Sequence, residues 1–232
     1  MVTLKRALAF VELAAAMKFL SNADLVQGWG VFNRSVVLAT WTILGISMIG
    51  YLMRPTRASQ ERGAYGSHLI GAGLVAVVTL WIASGLWGRR LGELEPFLPP
   101  AGTTNGSGVA NPNELSWVLN DYDGALSRAK SENKLLLIDF TGYTCTNCRW
   151  MEANMFPRPE IRTALEPFVR VRLFTDGRDE SNVRQQAFEE RQFNTVALPL
   201  YAIVDGSGAT RGQFLGMTRK SEEFLAFLNG GK

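Results

Sequence analysis

Cys145 and Cys148 are the only cysteines in the 232-residue chain, and they lie two residues apart in the stretch Phe140–Phe156, FTGYTCTNCRWMEANMF. Such a thiol pair can close and reopen a disulfide. If Cys145 sits at the start of a helix, the free N–H groups and the helix dipole there stabilise a thiolate. A thiolate is the attacking species in disulfide exchange. Cys148, one turn further in, is then the resolving thiol and Cys145 the nucleophile. Half of a zinc site is a poorer reading. Zinc takes about four ligands, and the chain offers no third cysteine and a single histidine, His68. Haem attachment needs a histidine after the second cysteine, where Arg149 stands. An inert structural disulfide is a further alternative, although so short a loop constrains the unfolded chain little. The expectation is no metal and no cofactor beyond the redox-active Cys145–Cys148 pair.

Two flanking features bear on that chemistry. Asp139 lies six residues before Cys145, inside an apolar run. A carboxylate buried beneath a thiol pair has a raised pKa and can take or give the proton of Cys148; alone, it reads as a hydrogen-bonded strand cap. Leu198-Pro199 precedes another apolar run. Proline there lacks a donor for the sheet, and a cis peptide would present a bare backbone edge to a bound peptide. The plainer reading is an edge-strand proline.

The elements that must position these residues follow from periodicity and punctuation. Asp123–Glu132 reads as a helix and Lys134–Phe140, KLLLIDF, as a buried strand. A helix is expected from Cys145 to about Asn154, with EIRTAL continuing after Pro159. Phe168–Phe174 alternates at period two and reads as a strand. Glu180–Phe193 reads as a polar helix, Pro199–Asp205 as a third strand, TRGQFLG as a fourth, and Lys220–Leu228 as a closing helix. The pattern gives an α/β domain with a mixed sheet between helices.

Upstream the chain changes character. Ser35–Met53 and Leu69–Gly88 carry no charge and are long enough to cross a bilayer. Residues 7–26 are also helical, but Glu12 and Lys18 interrupt the apolar run. That segment crosses at a tilt against other helices, lies in the interface, or is a signal peptide. Lys5, Arg6, Arg54, Arg57 and Arg62 would share one side of the membrane against Arg34, Arg89 and Arg90 on the other. The positive-inside tendency makes the first side cytoplasmic. Residues 91–113, rich in Pro, Gly, Ser, Thr and Asn, read as a flexible linker between a membrane domain (1–90) and a soluble domain (114–232). The net charge is only +3, with no basic run interleaved with aromatics, so nucleic acid is not implied.

LLLIDFTGYTCTNCRWMEANMF, followed some fifty residues later by VALPLYAIVD, resembles the thioredoxin fold and, more narrowly, the carboxy-terminal domain of the DsbD family of membrane thiol:disulfide interchange proteins. FVELAAAMKFLSNADLV and the apolar helix after it resemble the last part of that family's membrane domain. The resemblance implies a protein-disulfide reductase in the bacterial inner membrane, its thioredoxin-like domain facing the periplasm; the alternative readings are a non-catalytic thioredoxin-fold binding or assembly module anchored to the membrane, and a disulfide oxidase or isomerase. Its clients would be disulfide-bearing extracytoplasmic proteins, cytochrome c maturation factors among them. It implies Cys145 and Cys148 as the active pair, Asp139 as the buried carboxylate and Glu152 as a tuning carboxylate, which otherwise reads as a solvated helix residue. Pro199 matches the cis-proline, and Tyr143, Thr144 and Leu198 join it as substrate-binding positions. The family's membrane domain has its own cysteine pair; the membrane portion here has none. The expected electron donor is a cysteine-bearing membrane domain or subunit, reached either because this chain is the tail of a longer protein or because a separate subunit supplies the pair.

Overall fold

A computed structural model describes residues 2–54, 65–99 and 115–231. It divides into two compact units. The basic-loop residues Arg57 and Arg62 and the linker from residue 100 onward lie outside the described residues.

The first unit holds three long helices: α1 (Val2–Gln27), α2 (Arg34–Met53) and α3 (Tyr65–Ser84), the last prolonged by a 3-10 turn, Gly85–Trp87. At 1.5 Å per residue α1 is about 39 Å long, longer than the 7–26 expected from sequence. Asp24 closes the α1–α2 connection by accepting the backbone N–H groups of Val31 (3.3 Å) and Phe32 (2.7 Å). Asn33 caps α2 through Val36. Trp41 Nε1 donates to the Ala14 carbonyl at 2.9 Å, fixing α2 against α1. Gly45 lets α2 approach α3, since a Cβ there would strike Thr79. Among the described residues two helices are long and apolar enough to cross a membrane, Arg34–Met53 and Gly66–Trp87, with mean hydropathies of 1.9 and 2.1. Ile43, Ile46, Leu74, Val77 and Leu80 stand exposed on them, a distribution that suits hydrocarbon and is unfavourable in water.

The linker does not begin at residue 91. Gly92–Phe97 forms a 3-10 segment, and Leu91 and Leu98 are buried in a cluster with Met17, Val37 and Leu38. Two leucines seven residues apart gain enough apolar burial to order a segment whose overall composition is that of a tether.

The second unit is built on a five-stranded sheet in the order β1-β3-β2-β4-β5. Its strands are β1 (Val118–Leu119), β2 (Leu136–Thr141), β3 (Val169–Phe174), β4 (Leu200–Val204) and β5 (Thr210–Leu215). β2 runs parallel to β3 and antiparallel to β4. The central strands β2 and β4 are buried throughout, while β3 alternates. Helices α4 (Tyr122–Ser131), α5 (Thr146–Trp150), α6 (Pro159–Leu165), α7 (Glu180–Phe193) and α8 (Ser221–Gly230) complete the layers. Leu136, Ile138 and Phe140 of β2 face a core with Ala125, Phe193 and Leu200; Leu137 faces a second core with Trp150, Met151, Tyr201 and Phe224. This is the thioredoxin-like α/β fold. The two-residue edge strand β1 is too short for its alternation to show in sequence.

Candidate active site

β2 ends at Thr141, and the loop Gly142–Thr144 carries the chain to α5. Cys145 is the N-cap of that helix, with φ −70° and ψ 100°, and its Sγ accepts the backbone N–H of Cys148 at 3.2 Å. The two cysteines form a disulfide with Cα atoms 5.3 Å apart. Cys145 is partly exposed and Cys148 fully buried, so of the two residues only Cys145 meets the surface. The α-helical turn stops at Trp150 rather than running to Asn154. Met151–Met155 forms a π-helical turn closed by Phe156 N–H to the Met151 carbonyl at 2.9 Å. Such widened turns often occur at functional sites, and here the turn carries Glu152.

Asp139 lies inside β2, on the face that α5 covers, and is fully buried. Its register neighbours are Arg172 on β3 and Tyr201 on β4. Arg172 Nε donates to Asp139 Oδ2 at 2.9 Å, while Asp139 Oδ1 has no hydrogen-bond partner among the described residues. Burial pushes the Asp139 carboxyl up to about 6; Arg172 opposes the rise and Glu152 adds to it. Tyr201 is also buried with its hydroxyl unpartnered, and burial, reinforced by Asp139 and Glu152, holds it well above the usual phenol range.

Glu152 is not a solvated helix residue. Its Oε1 lies 2.7 Å from Arg149 Nη2 and 3.5 Å from Arg172 Nε. The Thr141 hydroxyl donates to Glu152 Oε1 at 3.4 Å and accepts from Arg149 Nη2 at 2.9 Å. Two carboxylates and two guanidinium groups thus form one network beneath the helix of the thiol pair. The Arg172 guanidinium also lies over the Trp117 ring, 4.7 Å from its centroid.

The Leu198-Pro199 peptide is cis. Pro199 is buried, and Leu198 is partly buried against the core that contains Phe140 and Leu200. Val196 and Ala197, just before Leu198, are exposed, Val196 to 49%, and no motif in the chain singles them out. Tyr143 stacks on Phe174 at 4.3 Å between ring centroids. Both Tyr143 and Thr144 are held by Asp176. Sequence reasoning missed Arg149, Arg172, Thr141 and Asp176. The alternation of β3 contained a signal for Arg172, because it sets Arg172 on the face opposite Val171 and Leu173. Its register against Asp139 appears only in the folded sheet.

Among known proteins, residues 117–206 match the thioredoxin-like family model. The chain is 27% identical to thiol:disulfide interchange protein DsbD 2 of Pseudomonas aeruginosa, over 64% of this chain and 26% of that protein. It is 23% identical to thiol:disulfide interchange protein DsbD of Ralstonia nicotianae, over 98% of this chain and 36% of that protein. The chain therefore spans roughly a quarter to a third of the length of these relatives. The crystal structure of the oxidised Neisseria meningitidis DsbD C-terminal domain superposes with a TM-score of 0.38 at 21% identity, over 47% of this chain and 91% of that one.

Proposed function

We propose that this DsbD-like chain is a membrane-anchored thiol:disulfide oxidoreductase that reduces disulfides of extracytoplasmic proteins through Cys145 and Cys148. The observation that carries this reading is the pair itself: one partly exposed cysteine and one buried cysteine, bonded at the start of a helix that packs over a buried carboxylate. In the reduced protein the Cys145 thiolate attacks one sulfur of a client disulfide. A mixed disulfide forms, and the other client sulfur leaves as a thiolate that takes a proton from solvent. Cys148 then gives its proton to Asp139, whose Oδ1 is free to accept it. The Cys148 thiolate attacks Cys145 Sγ, closes the internal disulfide and expels the second client thiolate, which is protonated in turn. Two electrons leave the protein and two protons end on the client.

Restoring the dithiol takes two electrons from outside, because the chain has no other cysteine. The donor is a cysteine-bearing membrane domain or subunit, which acts by the same exchange in reverse. Helices α2 and α3 cross the bacterial inner membrane, and the side bearing the thioredoxin-like domain is the periplasmic one. Arg149, Arg172 and Glu152 keep Asp139 oriented, and the loop around cis-Pro199 and the Tyr143–Thr144 segment receives the client. Cytochrome c maturation factors are the clients that the DsbD resemblance brings forward.

The test is reduction of insulin disulfides by the full chain in detergent micelles, with dithiothreitol as electron source. Cys145→Ser abolishes the catalysed rate. Retention of that rate overturns the proposal.

A further inference from the structure

Asp176, in the loop that follows β3, directs its whole carboxylate to the catalytic loop. Oδ1 accepts the backbone N–H of Tyr143 at 2.6 Å. Oδ2 accepts the backbone N–H of Thr144 at 2.9 Å and the Thr144 hydroxyl at 2.9 Å. Gly142 makes room for this contact, because a Cβ on it would lie 2.5 Å from Asp176 Oδ2. The Thr175 N–H donates to the Thr141 carbonyl at 2.9 Å, tying the two loops together at their base. Among the described residues none of Asp176's partners carries a positive charge. Asp139 and Glu152, by contrast, are each paired with arginine.

Two consecutive backbone N–H groups pointing into one concavity form a site that favours an anion. Here the groups belong to the two residues immediately before Cys145. Left open, they would add to whatever stabilises negative charge on the Cys145 sulfur. Asp176 fills the concavity and brings a fixed negative charge of its own. We infer that Asp176 is a positioning residue that holds the Gly142–Thr144 loop and keeps the Cys145 sulfur biased toward the thiol, making the Cys145–Cys148 pair a stronger reductant. The direction follows from the charge states. Only the reduced pair can carry a thiolate, and the disulfide is neutral. A fixed anion nearby raises the free energy of the reduced pair and leaves the disulfide unaffected, so the equilibrium moves toward giving electrons away. This inference rests on the proposed reductase activity and explains its direction.

The experiment compares the full chain in detergent with its Asp176→Asn variant. Asparagine keeps the shape, removes the charge and leaves one acceptor oxygen where the carboxylate offers two. Two readouts are taken: the equilibrium between the thiol pair and glutathione, and the pH midpoint of alkylation at Cys145. The variant is expected to be reduced by glutathione about threefold to tenfold more readily. Its alkylation midpoint falls by about half a pH unit or more. Asp176→Ser removes the charge but leaves one acceptor, and it is expected to move both readouts the same way; it decides the question if the asparagine variant does not fold. A role in folding alone would lower the melting temperature and leave both readouts in place. Unchanged readouts, or movement toward a more reducing pair, overturn the inference. Neither readout needs a client. If the wild-type chain fails to reduce insulin, the reductase reading falls, while the effect of Asp176 on the thiol pair is still decided.

Discussion

Arg172 Nε sits 2.9 Å from Asp139 Oδ2 across the parallel β2–β3 pair, and this contact divides the work of the carboxylate. One oxygen is held by the guanidinium. The other is buried with no partner among the described residues, on the side of the sheet that α5 covers. Arg172 is itself placed by Trp117 beneath its guanidinium and by Glu152 at 3.5 Å. The carboxylate thus has a fixed orientation and a partly compensated burial cost.

Replacing Arg172 with Gln removes the cation that opposes the rise of Asp139, which already stands at about 6. The carboxyl then holds its proton to higher pH. Since Asp139 must be ionised to take the proton of Cys148, the pH profile of insulin reduction shifts to alkaline values by about one unit. At pH 6 the rate falls severalfold and at pH 7 only about twofold, and Arg172→Lys restores part of it. An unshifted profile in the glutamine variant would separate Arg172 from the proton step. The variant also melts earlier, because breaking a buried pair leaves an uncompensated charge.

Tyr201 has its hydroxyl buried without a partner among the described residues. An unsatisfied buried donor is unfavourable by about 1–3 kcal/mol. Tyr201→Phe is therefore expected to raise the melting temperature, or leave it unchanged, in spite of the lost oxygen. A clear drop on thermal denaturation would show that the hydroxyl has a partner, such as a bound water.

Glu189 on α7 is buried beside the opposite core, and among the described residues neither of its carboxyl oxygens completes a hydrogen bond. Burial raises this carboxyl to about 7, with the Thr175 hydroxyl offsetting only part of the rise. The unfolded chain loses this proton near the ordinary value of 4.5, the folded chain only near 7. The folded state therefore binds the proton more tightly in that window, and stability falls as pH rises through it. Asp139 adds a loss of the same sign between 3.8 and about 6. Glu189→Gln removes its share and gains on the order of 1–2 kcal/mol above pH 7. Melting curves from pH 4 to 8 check this; parallel curves for wild type and variant would contradict it.

Strands β2 to β5, the thiol pair, Asp139 and the proline could be read from the sequence because each leaves a local mark, whereas the two-residue β1 leaves none. KLLLIDF is an unbroken apolar run with one acid in it, and two cysteines separated by two residues need no partner elsewhere. Arg172 and Asp176 leave no such mark. Arg172 looked like any polar residue of an alternating strand until the register put it beside Asp139. Asp176 reaches Tyr143 and Thr144 across 33 and 32 residues of sequence, a closure that depends on two loops meeting at one end of the sheet. Glu152 had equal claim to be solvated, and the π-helical turn that places it against Arg149 is not encoded in any simple period. Leu91 and Leu98 were hidden by the prolines and glycines around them.

The most direct test of the central claim, that Cys145 attacks and Cys148 resolves, is trapping of the mixed disulfide. The full chain in detergent, with Cys148→Ser, is reduced and mixed with a disulfide-bearing client, and the products are separated without reductant and mapped by mass spectrometry. The expected product is a client joined through Cys145, absent when Cys145 is replaced instead. A client joined through Cys148 in the Cys145→Ser variant, with none accumulating in the Cys148→Ser variant, would contradict the assignment.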